Sequence, residues 1–248
     1  MKKIAALALS FGMLFAGVTG EGHHAEHPHW GYSGEGAPEH WGDIDPKFRM
    51  CKLGVNQSPV DLNRFIDAKL PKLKITYAGI AHDVVNNGHT IKVTTFGKNS
   101  VVVDGKNFKL VQFHFHTPSE NKIEGKQFPM EAHFVHQSDD GEYLVIAVMF
   151  TEGAHNKALQ KLLNDLPTKV GESKQLHEMF NPGELFPRKL DYYRYDGSFT
   201  TPPCTEGVRW IVLKIPVSAS KEQIEKMHKI MGNNNRPTQP LKARVILR

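Results

Sequence analysis

The chain has 248 residues, 40% of them hydrophobic and 23% charged, with 31 Lys and Arg, 26 Asp and Glu, 14 His and two Cys. A formal charge of +5 is too mild to argue for a nucleic-acid partner. No internal repeat or low-complexity tract appears apart from a short His-rich run near the start, so repeat architectures are excluded too.

The opening stretch, MKKIAALALSFGMLFAGVTGEG, has two lysines, an apolar run of about fifteen residues and then small residues. It is too short for a membrane span. Residues 1–20 read as a signal peptide cleaved near Gly20, with an uncleaved anchor as the alternative. Cleavage removes Lys2 and Lys3 and lowers the formal charge from +5 to +3. The product is expected to be exported, periplasmic or secreted, with no stable membrane insertion. Nothing in residues 21–248 looks like a linker, so they read as one domain.

HHAEHPHW at 23–30 reads as a solvated arm rather than a metal site. The Gly- and Pro-rich segment that follows, HWGYSGEGAPEHWGDID, holds two tryptophans that must be tucked against something. Short runs rich in Val, Ile and Phe, divided by Gly, Asn and Asp, then predict strands at Leu73–Tyr77, His89–Phe96, Ser100–Val103, Phe108–His116, Glu131–Gln137 and Tyr143–Phe150. Gly97-Lys98-Asn99 and Asp104-Gly105 are hairpin turns. A helix is predicted over Asn156–Leu166, ended by Pro167, and a second over Lys221–Met231, with Ser220 and Gln223 as a capping box and Gly232 as its stop. Strand content dominates. The fold class is mainly β, with a large, twisted, mostly antiparallel central sheet, a few short peripheral helices and a single domain.

Within VQFHFHTPSENKIEGKQFPMEAHFVHQ, the two-residue period of a strand sends His114 and His116 from one face and leaves Val111, Phe113 and Phe115 on the other. MEAHFVH reads the same way, with Glu131, His133 and Val135 sharing a face. Neighbouring strands would bring His114, His116 and His133 together. A lone strand histidine is more often a surface or satisfied core residue than a ligand. Here Gln112 and Glu131 each precede a histidine by two on its own face, where they supply the acceptor that a ligand's second nitrogen needs. Three imidazoles leave a fourth metal position open, as in catalytic zinc sites, where Zn2+ acidifies a water and polarises a carbonyl oxygen. Neither strand has a cysteine, which excludes a closed thiolate site. Cys51 and Cys204 form an even pair behind an export signal and read as one disulfide, which chain entropy would reward by about 5 kcal/mol at most.

QFHFHTPSE, EAHFVH and GSFTTPPCTEGVRWIVLK together resemble the α-class carbonic anhydrases, with the short TPSE insert of the bacterial branch. The resemblance runs from about Trp30 to the C-terminus. That family is itself a standard example of a three-histidine zinc site. The resemblance implies reversible hydration of carbon dioxide to bicarbonate, with Zn2+ as cofactor and these small molecules as partners. It leaves a homodimer open. It makes Thr200 the group that orients the nucleophile, Glu120 its carboxylate partner and His89 the proton shuttle, with Asn86 and Asn87 ordering waters beside it. It implies a pocket wall of Val135, Ile146, Phe199, Val208 and Trp210, and a Cys51–Cys204 bridge. Trp30, Tyr32 and Trp41 would pack the N-terminal arm beneath the cavity, NQSPVDL would lead into a strand, and the 234–241 segment would support His116 from behind. Asn121 stands where the family often has histidine, which should affect loop packing more than chemistry. Phe199 replaces the leucine of animal members and could narrow the pocket mouth. Two other readings stay open: a carbonic-anhydrase-like binding module without catalysis, and a zinc esterase.

Overall fold

Residues 29–248 are described by the computed structural model. The signal peptide expected at 1–20, and His23, His24 and His27 of the His-rich arm, lie outside the described residues. Eight strands carry the architecture: β1 (Ile80–Asn86), β2 (Ile91–Phe96), β3 (Lys106–His116), β4 (Met130–Ser138), β5 (Tyr143–Glu152), β6 (Ser173–Phe180), β7 (Tyr192–Ser198) and β8 (Glu206–Leu213). They lie in the order β6-β1-β2-β3-β4-β5-β8-β7 within a 13-stranded sheet, which Ile246–Leu247 and Phe65–Ile66 extend beyond β7. Most ladders are antiparallel, as expected, while β5 and β8 run parallel. The chain is one domain. No helix among the described residues is long and apolar enough to cross a membrane.

The pleat divides the core in two. Phe113, Phe115, Phe134, Ile146 and Phe150 point to one face, where Leu159 and Leu162 of α1 (Lys157–Asn164) and Ile224 of α2 (Lys221–Met231) cover them. Val135, Val145, Ala147, Val208, Trp210 and Val212 fill the other face. Central β5 is buried on both sides, which is why its sequence is an almost unbroken apolar run. Both helices begin on side-chain caps: Asn156 accepts from Leu159 N at 2.9 Å, and Ser220 with Gln223 forms the predicted capping box. Asp104 and Gly105 take φ of 52° and 75°, the positive values that an Asp-Gly hairpin turn requires.

Four expectations need correction. His89 precedes β2 and sits in the turn before it. The first helix stops at Asn164, and Leu166 is buried beyond it. Val111 does not share the face of Phe113: Val135 pairs with Gln112 and His136 with Leu110, so Val111 is the extra residue of a β-bulge and stands half exposed. That bulge lets Phe108 and Phe113, an odd number of residues apart, enter the same core. Strands β1, β6, β7 and β8 are additional to the expected ones; polar residues interrupt the apolar pattern of the first three, as His82 and Asp83 do in β1, whereas the 210–213 run of β8 is apolar and is itself a strand signal.

Candidate metal centre and active site

β3 and β4 are paired so that His114 faces His133 directly and His116 faces Glu131. One ring nitrogen from each of His114, His116 and His133 lies within 4.8 Å of the others. The remaining nitrogen of each ring meets an acceptor. His114 Nδ1 lies 2.9 Å from Gln112 Oε1, and His116 Nδ1 lies 2.7 Å from the Asn234 carbonyl. His133 Nε2 lies 2.9 Å from Glu131 Oε1, off the ideal hydrogen-bond direction. This leaves the lone pairs of His114 Nε2, His116 Nε2 and His133 Nδ1 for a common ligand. His116 Nε2 is buried without a hydrogen-bond partner, an orphan that a metal ion would satisfy. Burial pulls all three imidazoles below their ordinary pKa and so favours the neutral, metal-binding form; for His114 the charges of His116, His133 and Lys92 add to the effect. Three neutral nitrogen donors with borderline softness suit Zn2+.

Behind the histidines lies a buried polar layer. Glu131 Oε2 accepts from the N–H groups of Glu120 and Asn121 at 2.7 and 2.9 Å, and its Oε1 accepts from Asn121 Nδ2 at 2.7 Å. Asn121 also accepts from Val60 N at 3.1 Å and from the Tyr195 hydroxyl at 2.9 Å, so it ties Glu131 to two other elements. Glu120 Oε1 accepts from Arg236 N at 2.8 Å, while Oε2 stands 3.4 Å from His116 Nε2. Burial pushes the Glu120 carboxyl well up, against the nearby Thr200 hydroxyl and the Arg236 N–H, which favour its charged form. Arg236 is itself buried; it donates to Gln57 Oε1 at 2.9 Å and to the Ser58 and Cys51 carbonyls, both at 2.8 Å. Cys51 and Cys204 are bridged.

Two adjoining cavities open on the histidines. One, of about 100 Å³, is lined by His114, His133, Val135, Val145, Phe199, Thr200 and Trp210 among others. The second, of about 140 Å³, runs from His114 and His116 past Gln112, Lys92 and Thr201 to His89, Trp30 and Tyr32. A larger cavity of about 590 Å³, between Ala68–Leu73 and Arg188–Tyr192, shares no residue with them, so chemistry rather than volume locates the site.

Most of the residues named from the sequence are brought together here, with exceptions. Ile146 points into the opposite core beside Phe134, and Val145, opposite Val135, takes its place on the wall. Val208 lies on the correct face but behind the lining. Asn86 is buried away from the cavity, its Oδ1 accepting from Gly88 N at 3.0 Å, and Asn87 Oδ1 accepts from His89 N and Thr90 N, both at 2.9 Å. Both asparagines shape the turn that presents His89. Trp41 packs with the disulfide, while Trp30 and Tyr32 reach the cavity wall. The Trp30 ring stacks on His89 with centroids 3.7 Å apart and planes at 6°. Burial, and then His29, lower the His89 pKa. Sequence reasoning missed Lys92, Val145, Thr201 and Arg236. The alternation that placed the histidines also reaches Lys92 once β2 is known to pair with β3.

A sheet face carrying three imidazoles with free nitrogens, backed by carboxylates and open to a small cavity, is a site able to hold a metal ion with one ligand position left for exchange. The comparisons agree. The family model described as eukaryotic-type carbonic anhydrase matches residues 36–248, and the chain belongs to that family. It is 47% identical over 226 residues to a carbonic anhydrase of Neisseria gonorrhoeae, covering 90% of this chain and 89% of that one. Among solved structures, the Photobacterium profundum α-carbonic anhydrase superposes with a TM-score of 0.86 at 53% identity, covering 89% of this chain and 100% of that one. The Thermovibrio ammonificans α-carbonic anhydrase, in complex with the inhibitor sulfanilamide, gives 0.87 at 52% identity, covering 89% and 99%.

Proposed function

We propose that this protein catalyses the reversible hydration of carbon dioxide at a zinc ion held by His114, His116 and His133. The observation that supports the reading is the division of labour within each ring, one nitrogen turned to an acceptor within 3 Å and the other directed toward a common point. Zinc there would lower the pKa of a water so that a nucleophilic oxygen is available near neutral pH.

The chain's own residues do the rest. The Thr200 hydroxyl donates to the Glu120 carboxylate, which turns its oxygen lone pair toward the nucleophile and fixes the nucleophile's orientation. This requires Glu120 to be ionised, and a divalent cation beside it would offset the burial that raises its pKa. Val135, Val145 and Trp210 offer carbon dioxide an apolar wall. Each turnover leaves a proton to export. His89, at the far end of the second cavity and with its basicity lowered, is placed to take that proton and pass it to buffer. Gln112 and Glu131 fix ligand tautomers, and Asn86 and Asn87 hold the His89 turn.

The Cys51–Cys204 bridge is at home in an oxidising compartment and supports export to a periplasm or beyond. The test is stopped-flow carbon dioxide hydration on the mature protein as purified, after chelation and after zinc is restored. Activity lost and regained at one zinc per chain is expected. A zinc-loaded protein without hydration activity would overturn the reading in favour of the silent binding module, and ester turnover exceeding carbon dioxide turnover would favour the esterase.

A further inference from the structure

His114 has a neighbour across the sheet on each side: His133 opposite it on β4 and Lys92 opposite it on β2. Residues directly opposite on antiparallel strands share a face, their Cβ atoms about 4.5–5.5 Å apart. The Lys92 side chain therefore leaves the sheet beside the metal ligands, and it lines the second cavity with His114, His116 and Gln112. Its ammonium has neither an ion-pair nor a hydrogen-bond partner among the described residues. Among the described residues it is also the one lysine or arginine lining either cavity at the histidines.

A cation in that position is electrostatically awkward. Lys92 faces a cluster built to hold a divalent ion, and its charge already bears on His114. An uncharged side chain would avoid the repulsion, so the arrangement becomes favourable only when an anion enters. The reaction produces one. Carbon dioxide is neutral and gives an ammonium little to hold, whereas bicarbonate is a planar anion with several acceptor oxygens. Gln112 adds a second donor on the same wall: its Oε1 is taken by His114 Nδ1, and its amide N–H₂ has no partner among the described residues.

We propose that Lys92, aided by the Gln112 amide, is an anion-docking point inside the active-site cavity that holds bicarbonate beside His114. The inference rests on the carbonic anhydrase reading and deepens it. Lys92 favours the charged partner of the reaction over the neutral one. It also makes the enzyme sensitive to other monovalent anions of similar size.

The test uses zinc-loaded wild type, Lys92→Gln, Lys92→Glu and Lys92→Arg at constant ionic strength. The inhibition constants of added bicarbonate and thiocyanate are measured against carbon dioxide hydration. The rise in melting temperature that the same anions produce is recorded without turnover, and melting without anion checks the fold. Loss of one charge-assisted contact should raise both inhibition constants about 3- to 10-fold in Lys92→Gln and further in Lys92→Glu, with a matching fall in the anion-induced melting shift. Lys92→Arg should stay within about twofold of wild type, since it keeps the charge. Inhibition constants and melting shifts unchanged in Lys92→Gln would overturn the proposal, as would a loss in Lys92→Arg as large as in Lys92→Gln. A wild type without hydration activity would sink the enzyme assignment instead, and the melting shifts would still decide whether Lys92 holds an anion.

Discussion

His116 Nδ1 stands 2.7 Å from the main-chain carbonyl of Asn234, a residue 118 positions further along the chain. The Asn234 side chain holds that carbonyl in place: its Oδ1 accepts from Thr117 N at 2.8 Å and its Nδ2 donates to the His89 and Phe115 carbonyls at 2.9 and 3.0 Å. One buried asparagine thus clamps the end of β3, the turn bearing His89 and the carbonyl that meets His116, a proposed ligand. Asn234→Ala should cost about 2–4 kcal/mol, because buried partners are left unsatisfied. It should also weaken zinc binding about 10- to 100-fold by loosening the group behind a ligand. Chemical unfolding and competitive zinc titration would check both, and a variant with lost stability but unchanged zinc affinity would break the link.

Thr200 is buried near Glu120, whose charged form its hydroxyl favours, and Glu120 in turn is held by Arg236 N–H. Thr200→Val keeps the shape and removes the hydroxyl. Carbon dioxide hydration should fall about 10²-fold or more, in line with the loss of one oriented polar group at a reacting centre, with zinc content unchanged. Glu120→Gln should give a similar loss, because a neutral amide can donate to Thr200 as well as accept and no longer fixes the hydroxyl proton. Activity within twofold of wild type in both variants would remove the pair from the mechanism.

The alternation at His114, His116 and His133 was legible because a strand's period of two is strict, and the polar partners Gln112 and Glu131 lay at the same spacing. What sequence could not supply was register. Ile146 was placed on the cavity wall, yet Val135 pairs with Val145, and a shift of one residue sends a side chain to the opposite core. Val111 failed for a related reason, since a bulge adds one residue to a strand without marking it in the apolar pattern. Arg236 looked like part of a loop signature. Its interior role depends on Cys51, Gln57, Ser58 and Glu120 converging from distant segments.

Trp30 and His29 set the basicity of His89. Burial of His89, partly under the stacked Trp30 ring, and repulsion from His29 both lower its pKa. A lowered pKa means that His89 is a free base, ready to accept the exported proton, down to pH values below the ordinary 6.5. The acid limb of kcat should therefore have its midpoint below 6.5, and Trp30→Ala should move it up by exposing the ring. His89→Ala should lower kcat about 10²-fold in weak buffer while sparing kcat/KM, with rescue by added imidazole. A Trp30→Ala profile superposable on wild type would show that the stack does not tune the shuttle.

Cys51 and Cys204 join segments 153 residues apart. Their carbonyls accept from Arg236 and from Gln57 Nε2, at 2.8 and 3.0 Å, so the bridge also borders the network behind Glu120. The paired Cys51→Ser and Cys204→Ser substitution should cost about 2–5 kcal/mol. Denaturant unfolding would measure it, and a loss below about 0.5 kcal/mol would mean that the unfolded chain gains little freedom when the link is removed.

His136 gives the acid end of the stability curve. It is fully buried, its Nδ1 3.3 Å from the Leu144 carbonyl and its Nε2 2.6 Å from the Tyr77 hydroxyl, so Nδ1–H donates and Nε2 accepts. Burial lowers its pKa to about 4. The unfolded chain, with an ordinary histidine near 6.5, takes up the proton first, so stability falls as pH drops below about 6.5 and stops falling below about 4. That interval corresponds to about 3 kcal/mol from this one residue. His114, His116 and His133 also take up protons in acid, so the comparison must be between variants that share them. In His136→Gln, which can still meet the Tyr77 hydroxyl, unfolding free energies measured from pH 7 to pH 4 should decline by about 3 kcal/mol less than in wild type. Parallel curves would mean that His136 takes up its proton at the same pH in the folded and unfolded chains and that other groups account for the acid loss.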